Sequence, residues 1–199
     1  MAVTIGFSEP YVAKYSFNGG NVTYSGGMKL GRGVNMTIEA NIAEDNDFYA
    51  DDVVAESETG AVTSLNGTMT IDGMEPDVAA FVLGLPAATQ EEINGKQVDV
   101  YDYDDRMNAP YLGLGGLRMV QMNGVKYWEP WVLTKVKISI PNEEMHTKED
   151  QIDWQTQEIP VPILRDDTDN RRWKRVFARQ TTKAAALNIL KGYLKIVEA

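Results

Sequence analysis

The chain has 199 residues, 43% of them hydrophobic, with four Trp, nine Tyr and five Phe, which is one domain's length with enough apolar material for a core and argues against wholesale disorder. It has no Cys and a single His, His146, so disulfides, thiolate nucleophiles, zinc ribbons and iron–sulfur ligation are excluded together. The formal net charge of −10 disfavours nucleic-acid binding, which draws on clustered positive charge, and no apolar run approaches the ~18–20 residues of a bilayer span.

The charge is unevenly placed. Residues 1–100 hold four Lys/Arg against fifteen Asp/Glu, whereas 101–199 hold fifteen against fourteen, and 171–197 contain eight basic residues and no acid. An acidic first half and a basic late segment suit contact between identical subunits, although both also read as solvated faces. Residues 1–6 lack the basic and apolar regions of a secretory signal, so synthesis in a cytoplasm is expected and the three Asn-x-Thr sequons (Asn21, Asn35, Asn66) carry no weight.

In chain order, β-rich runs at 2–7 and 11–17 come first. Residues 34–42 alternate strictly, apolar at even and polar at odd positions, the period-two pattern of a strand with one buried face. Residues 42–60 are acidic, lack sustained alternation and carry Phe48 and Tyr49 at their centre; they read as a long loop, a length usually reserved for function. Residues 65–71 alternate less cleanly. Pro76 to Gly84 has Pro in its first turn and Gly at its stop, the polarity of a short helix. β-rich runs follow at 97–103, 111–122, 127–140, 152–164 and 171–179. Asn-Gly pairs at 18–19, 66–67, 94–95 and 123–124, with Asp72-Gly73, predict tight turns, because Asn-Gly supplies positive φ at both central positions. Residues 182–197 place Ala186, Leu187, Leu190, Tyr193, Leu194 and Val197 on one stripe, predicting a helix capped by Thr181 or Thr182. One mainly β domain over 1–199 is expected, a β-sandwich or partly closed barrel with helices outside.

Catalytic and cofactor motifs are missing, and no enzyme is expected. His146 lies in a polar segment and no Gly-x-Ser-x-Gly elbow occurs. The glycine-rich stretches 26–33 and 113–116 complete neither Gly-x-Gly-x-x-Gly nor the Walker A spacing and read as bulges and corners. Carboxylate groups at Asp45/Asp47, Asp51/Asp52, Asp102/Asp104/Asp105 and Asp166/Asp167/Asp169 are of the type calcium prefers, but none has EF-hand spacing.

The order of elements resembles that of siphophage major tail proteins, the tail tube family. The resemblance rests on the alternating strand 34–42, the acidic Phe48-Tyr-Ala-Asp-Asp-Val-Val-Ala-Glu56, the strand 65–71 and the short helix in Asp72-Gly-Met-Glu-Pro-Asp-Val-Ala-Ala-Phe-Val-Leu-Gly84. Ile152-Asp-Trp-Gln-Thr-Gln-Glu158 and the Trp173-Lys174 strand follow them. It spans about 25–180 and leaves the C-terminal helix aside. It implies a subunit without cofactor that forms rings, hexamers in this family, stacked into the conduit through which DNA leaves the capsid. It further implies contacts with other tail proteins, a location in the virion tail after assembly in the bacterial cytoplasm, and a long loop reaching the adjacent ring. By position that loop supplies Phe48, Tyr49, Asp51 and Asp52. The polar face Asn35, Thr37, Glu39 and Asn41 is expected to line the lumen, where groups that repel phosphate let DNA slide. Arg171, Arg172, Lys174, Arg175 and Arg179 form the expected basic inter-subunit segment. The competing expectation is a β-sandwich module that binds calcium or stacks glycan on Tyr101, Tyr103, Tyr127, Trp128 and Trp131.

Overall fold

The computed structural model describes residues 2–143, 147 and 155–197; His146, Ile152 and Trp154 lie outside them. Twelve strands and two helices make up the described residues: β1 (Ala2–Asn18), β2 (Asn21–Lys29), β3 (Gly33–Ile42), β4 (Asn46–Ala50), β5 (Val53–Glu58), β6 (Val62–Ile71), α1 (Pro76–Leu83), β7 (Thr89–Ile93), β8 (Lys96–Val100), β9 (Leu112–Met122), β10 (Val125–Val136), β11 (Gln157–Leu164), β12 (Lys174–Val176) and α2 (Lys183–Leu194). The fold is mainly β and antiparallel. Its main sheet runs β2-β1-β9-β10-β11-β6-β3, with β12 also on β10, while β4–β5 and β7–β8 are separate hairpins. The sheet curls so that β3 comes near β1 without pairing with it. Among the described residues it is therefore open, with β2 and β3 as its edges and no pairing of β3 with β1 to close it.

Folding the sheet over itself puts Val12, Leu112, Leu114 and Leu133 against Met69, Ile71, Ile159 and Val161 in one core, which α1 closes with Val78, Val82 and Leu83. A second cluster lies outside the first half of the sheet, where Ala186, Leu190 and Leu194 of α2 pack on Tyr11, Ala13, Tyr24, Leu117 and Val132. β9 at 112–117 and β10 at 129–134 are thus covered on both faces, so these stretches are buried without alternation. This sandwiching also explains Gly113, Gly115 and Gly116. Gly116 lies opposite the irregularity between Ser8 and Tyr11 of β1, and Gly113 lies at the register shift between Leu133 and Val136 of β10, in keeping with the bulges expected from sequence; a Cβ at Gly113 would also enter the Tyr24 ring and one at Gly115 would lie 2.6 Å from Leu190 Cδ1. Bare backbone lets these side chains seat on the sheet.

Turn chemistry accounts for most connections. Asn94-Gly95 and Asn123-Gly124 have positive φ at both residues and close β7–β8 and β9–β10 as expected. Asn66-Gly67 instead lies within β6, where Gly67 pairs with Ile38 and Val161, so that predicted turn is a strand interior. The first two predicted runs are one strand, β1, whose pairing with β9 is interrupted at Ser8/Tyr11. There Glu9 has a φ of 57° and is held by Lys29 at 2.9 Å and Lys183 at 2.6 Å, which ties the start of α2 to the bulge. α1 ends at Gly84 in the left-handed region. In α2 the Thr182 side chain accepts a hydrogen bond from Ala185 N–H, and Lys195 in the left-handed conformation ends the helix at Leu194, short of the expected 197. Among the described residues no helix is long and apolar enough to cross a membrane.

Candidate assembly surfaces

Residues 42–60, expected to be a loop, form the hairpin β4–β5, whose register runs from Asn46↔Glu58 to Ala50↔Val53. The turn was hidden because it contains no Gly: Asp51 and Asp52 take φ of 51° and 62°, a conformation that Asp adopts more readily than most side chains. Apart from Ala50 and Gly60, every residue from 41 to 60 is exposed. Around the two aspartates sit Phe48 and Tyr49, each 64% exposed, with Val53 at 61% and Val54 at 48%. The tip is therefore an apolar patch ringed by carboxylates. Sequence reasoning named the aromatics and the aspartates but missed Val53 and Val54, which the valine pair's place opposite Tyr49 and Ala50 would have disclosed once a hairpin was assumed.

The second surface is the polar face of β3. Asn35, Thr37, Glu39 and Asn41 are all exposed and pair across to Thr70, Thr68, Asn66 and Ser64 of β6, with Asn41 Nδ2 donating to Ser64 Oγ at 2.7 Å. Glu158, Pro160 and Pro162 of β11 continue this face beyond β6. Strands β3, β6 and β11 contain no Lys or Arg, so three adjacent strands present a surface without a cation of their own. The sequence pointed only to the β3 row; the weaker alternation of 65–71 was the signal for the rest. On the opposite side of β3 the apolar residues are less covered than the alternation suggests. Met36 and Ile38 are half-buried, while Val34 and Ile42 remain 56% and 59% exposed, because β3 is an edge strand that overhangs the core.

The basic segment divides. Only Lys174–Val176 is a strand, and three of its five expected contact residues are engaged within their own chain. Arg179 Nε donates to Glu129 Oε2 at 3.0 Å, and Arg118 Nη2 donates to Glu129 Oε1. Burial pushes the Glu129 pKa up, but the hydrogen bonds and charges of the two guanidinium groups outweigh it and hold the carboxyl below its ordinary value. Arg175 stacks over Tyr193 at 5.1 Å from the ring centroid. Lys174 is half-buried near Trp173, and burial first, then the charge of Arg118, lowers its pKa. Arg172 is half-buried and gives its backbone N–H to Asp166 Oδ1 at 3.0 Å. Arg171, with a φ of 46°, stays exposed.

Of the residues of the competing expectation, Tyr101 and Tyr103 line one cleft, of which the tryptophans are not part. Trp131 is buried with its ring 6.0 Å from Phe7, and Trp128 packs beside the α2 cluster, whereas Tyr103 is exposed elsewhere. Asp166 is used internally, accepting from Thr168 Oγ1 at 2.6 Å and tying the 166–172 turn. Asp167 pairs with Lys135 at 2.7 Å and accepts from Tyr15 Oη at 2.8 Å, and burial, aided by the nearby carboxylates, raises the Tyr15 phenol to about 12. Among the described residues, no three acidic or imidazole side chains gather to hold a metal ion. Compared with protein-family models and with curated proteins, the chain matches none.

Proposed function

We propose that this chain is the structural subunit of a siphophage tail tube, a non-enzymatic protein that self-assembles into rings, hexameric by family resemblance, stacked into the conduit for DNA ejection. The observation that carries this reading is the β4–β5 hairpin. A two-stranded hairpin is marginal in water on its own, and among the described residues this one pairs as a strand only with itself while exposing four apolar side chains at its tip. Such an arm gains its stability from a neighbour, and contiguous exposed apolar surface rimmed by charge marks an interaction site. The cation-free face of β3, β6 and β11 supports a second part of the reading, because a wall facing DNA must not bind phosphate. Free edges on β2 and β3 support a third, since strand edges of this kind are normally covered.

The test is electron microscopy and sedimentation velocity of the purified chain across increasing concentration. Rings or tubes of uniform width uphold the proposal; a monomer at every concentration refutes it. Affinity for a glycan array or for calcium by a non-assembling monomer would favour the binding-module alternative instead.

A further inference from the structure

Between β1 and β3, where the sheet fails to close, lies a cleft of about 350 Å³ lined by Phe7, Val34, Met36, Ile38, Arg118, Trp131 and Lys174, among others. Its floor is aromatic and aliphatic, and its charged lining is cationic, Arg118 and Lys174; behind it Arg118 and Arg179 share the single carboxylate Glu129, leaving a local excess of positive charge. Nothing in the sheet uses this cleft. Its chemistry is the complement of the hairpin tip, where Phe48, Tyr49, Val53 and Val54 flank the Asp51-Asp52 turn, and where residues 44–58 carry seven acids and no base.

Position supports the match. The cleft is lined by the first half of β3, residues 34–38, whereas the hairpin follows the strand's far end at Ile42. The six residue steps from Met36 to Ile42 span about 20 Å in extended chain, so donor and receptor sit towards opposite ends of one strand. We propose that the β1–β3 cleft receives the β4–β5 hairpin of a second copy, with its apolar tip against Phe7, Met36 and Trp131 and its aspartates near Arg118 and Lys174. This inference rests on the tube reading above and names the receptor for its stacking arm. Because donor and receptor are different surfaces, the contact is heterologous: each copy gives one hairpin and takes another, and the pairing repeats along an axis instead of closing as a dimer.

The absence of Cys makes the test direct. Val34→Cys with Phe48→Cys, both at exposed positions, should give a ladder of disulfide-linked multimers when assembled protein is mildly oxidised. Phe48→Cys paired with Ile93→Cys on the unrelated β7–β8 hairpin should not. A charge exchange supplies an independent measurement: Asp52→Lys and Lys174→Glu should each slow assembly about tenfold or more, and their combination in one chain should recover most of the rate. If tubes form but the Val34/Phe48 pair yields no ladder and the exchange brings no recovery, the cleft is not the receptor while the tube reading survives. If wild-type protein forms no assembly at all, the tube reading and this inference both fall.

Discussion

Two halves of the molecule are built to different standards of completeness. The half formed by β1, β2, β9 and β10 is covered on one face by β6 and β11 and on the other by α2, and it contains Val12, Ala13, Leu112, Leu114, Leu117, Val132, Leu133 and Val136, none of which has exposed surface. The half ending in β3, with its two hairpins, is buried on one face only, overhangs the core, and keeps Val34, Ile42, Phe48 and Tyr49 in solvent. The first region holds itself together; the second holds surface in reserve. Substitutions in the two regions should therefore separate subunit stability from assembly.

The largest effect on stability belongs to the covered half. Leu190→Ala removes a fully buried side chain of α2 and should cost about 2–5 kcal/mol by urea denaturation of the subunit. Phe48→Ala with Tyr49→Ala, in contrast, should change subunit stability by about 0.5 kcal/mol or less, yet abolish tube elongation, since truncated interface anchors typically cost about 2 kcal/mol or more each. A double variant that elongates normally would remove the hairpin from the interface; one that unfolds would erase the distinction between the halves.

Acid should act on the covered half next. Glu9 and Glu129 have pKa values held below their ordinary 4.5: burial raises each, and the paired Lys or Arg groups outweigh it. Their contribution is therefore complete above about pH 4.5 and is lost as pH falls through the depressed folded values. Melting temperature measured from pH 7 down to 3 should drop in that acid window, and Glu129→Gln should show a shallower drop.

Gly192→Ala is the smaller, opposite change. A Cβ there meets nothing within 4 Å, so the substitution should stabilise α2 by roughly 0.5–1 kcal/mol and leave assembly rates untouched. The smallest effect on folding is expected from Glu39→Lys on the exposed β3 face, within about 0.5 kcal/mol. If that face lines the conduit, virions carrying it adsorb normally and eject DNA more slowly at low salt; unchanged ejection would place the β3 face away from DNA.

What the sequence revealed follows the same division. Alternation exposed β3, helix polarity exposed α1, and the three-four stripe exposed α2, because each element has one covered face and one wet one. β9 was legible as the β-rich run 111–122 but its faces were not, because in Leu112-Gly-Leu-Gly-Gly-Leu117 burial on both faces erases alternation and the glycines serve neighbours distant in sequence. The β4–β5 turn stayed hidden because two aspartates replaced the expected Asn-Gly. Charge counting found the basic segment but could not see that Arg179 and Arg175 are spent on Glu129 and Tyr193, since those pairings are tertiary. The cleft was illegible for the same reason: its lining comes from β1, β3, β9, β10 and β12.

The placement of α2 also orders events in time. Strand β1 cannot complete its pairing with β9 until residue 122 has been made, and the outer apolar surface of that pair, with Leu117 and Val132, waits for residues 186–194. A chain released from the ribosome before α2 would show that surface to other chains, which favours aggregation over ordered addition. Long-range pairing of this kind is slow compared with helix docking, so α2 arrives as a seal on a sheet that is still closing. The helix thus seals the outer face of the β1–β9–β10 surface, and a chain without it would leave Leu117 and Val132 uncovered.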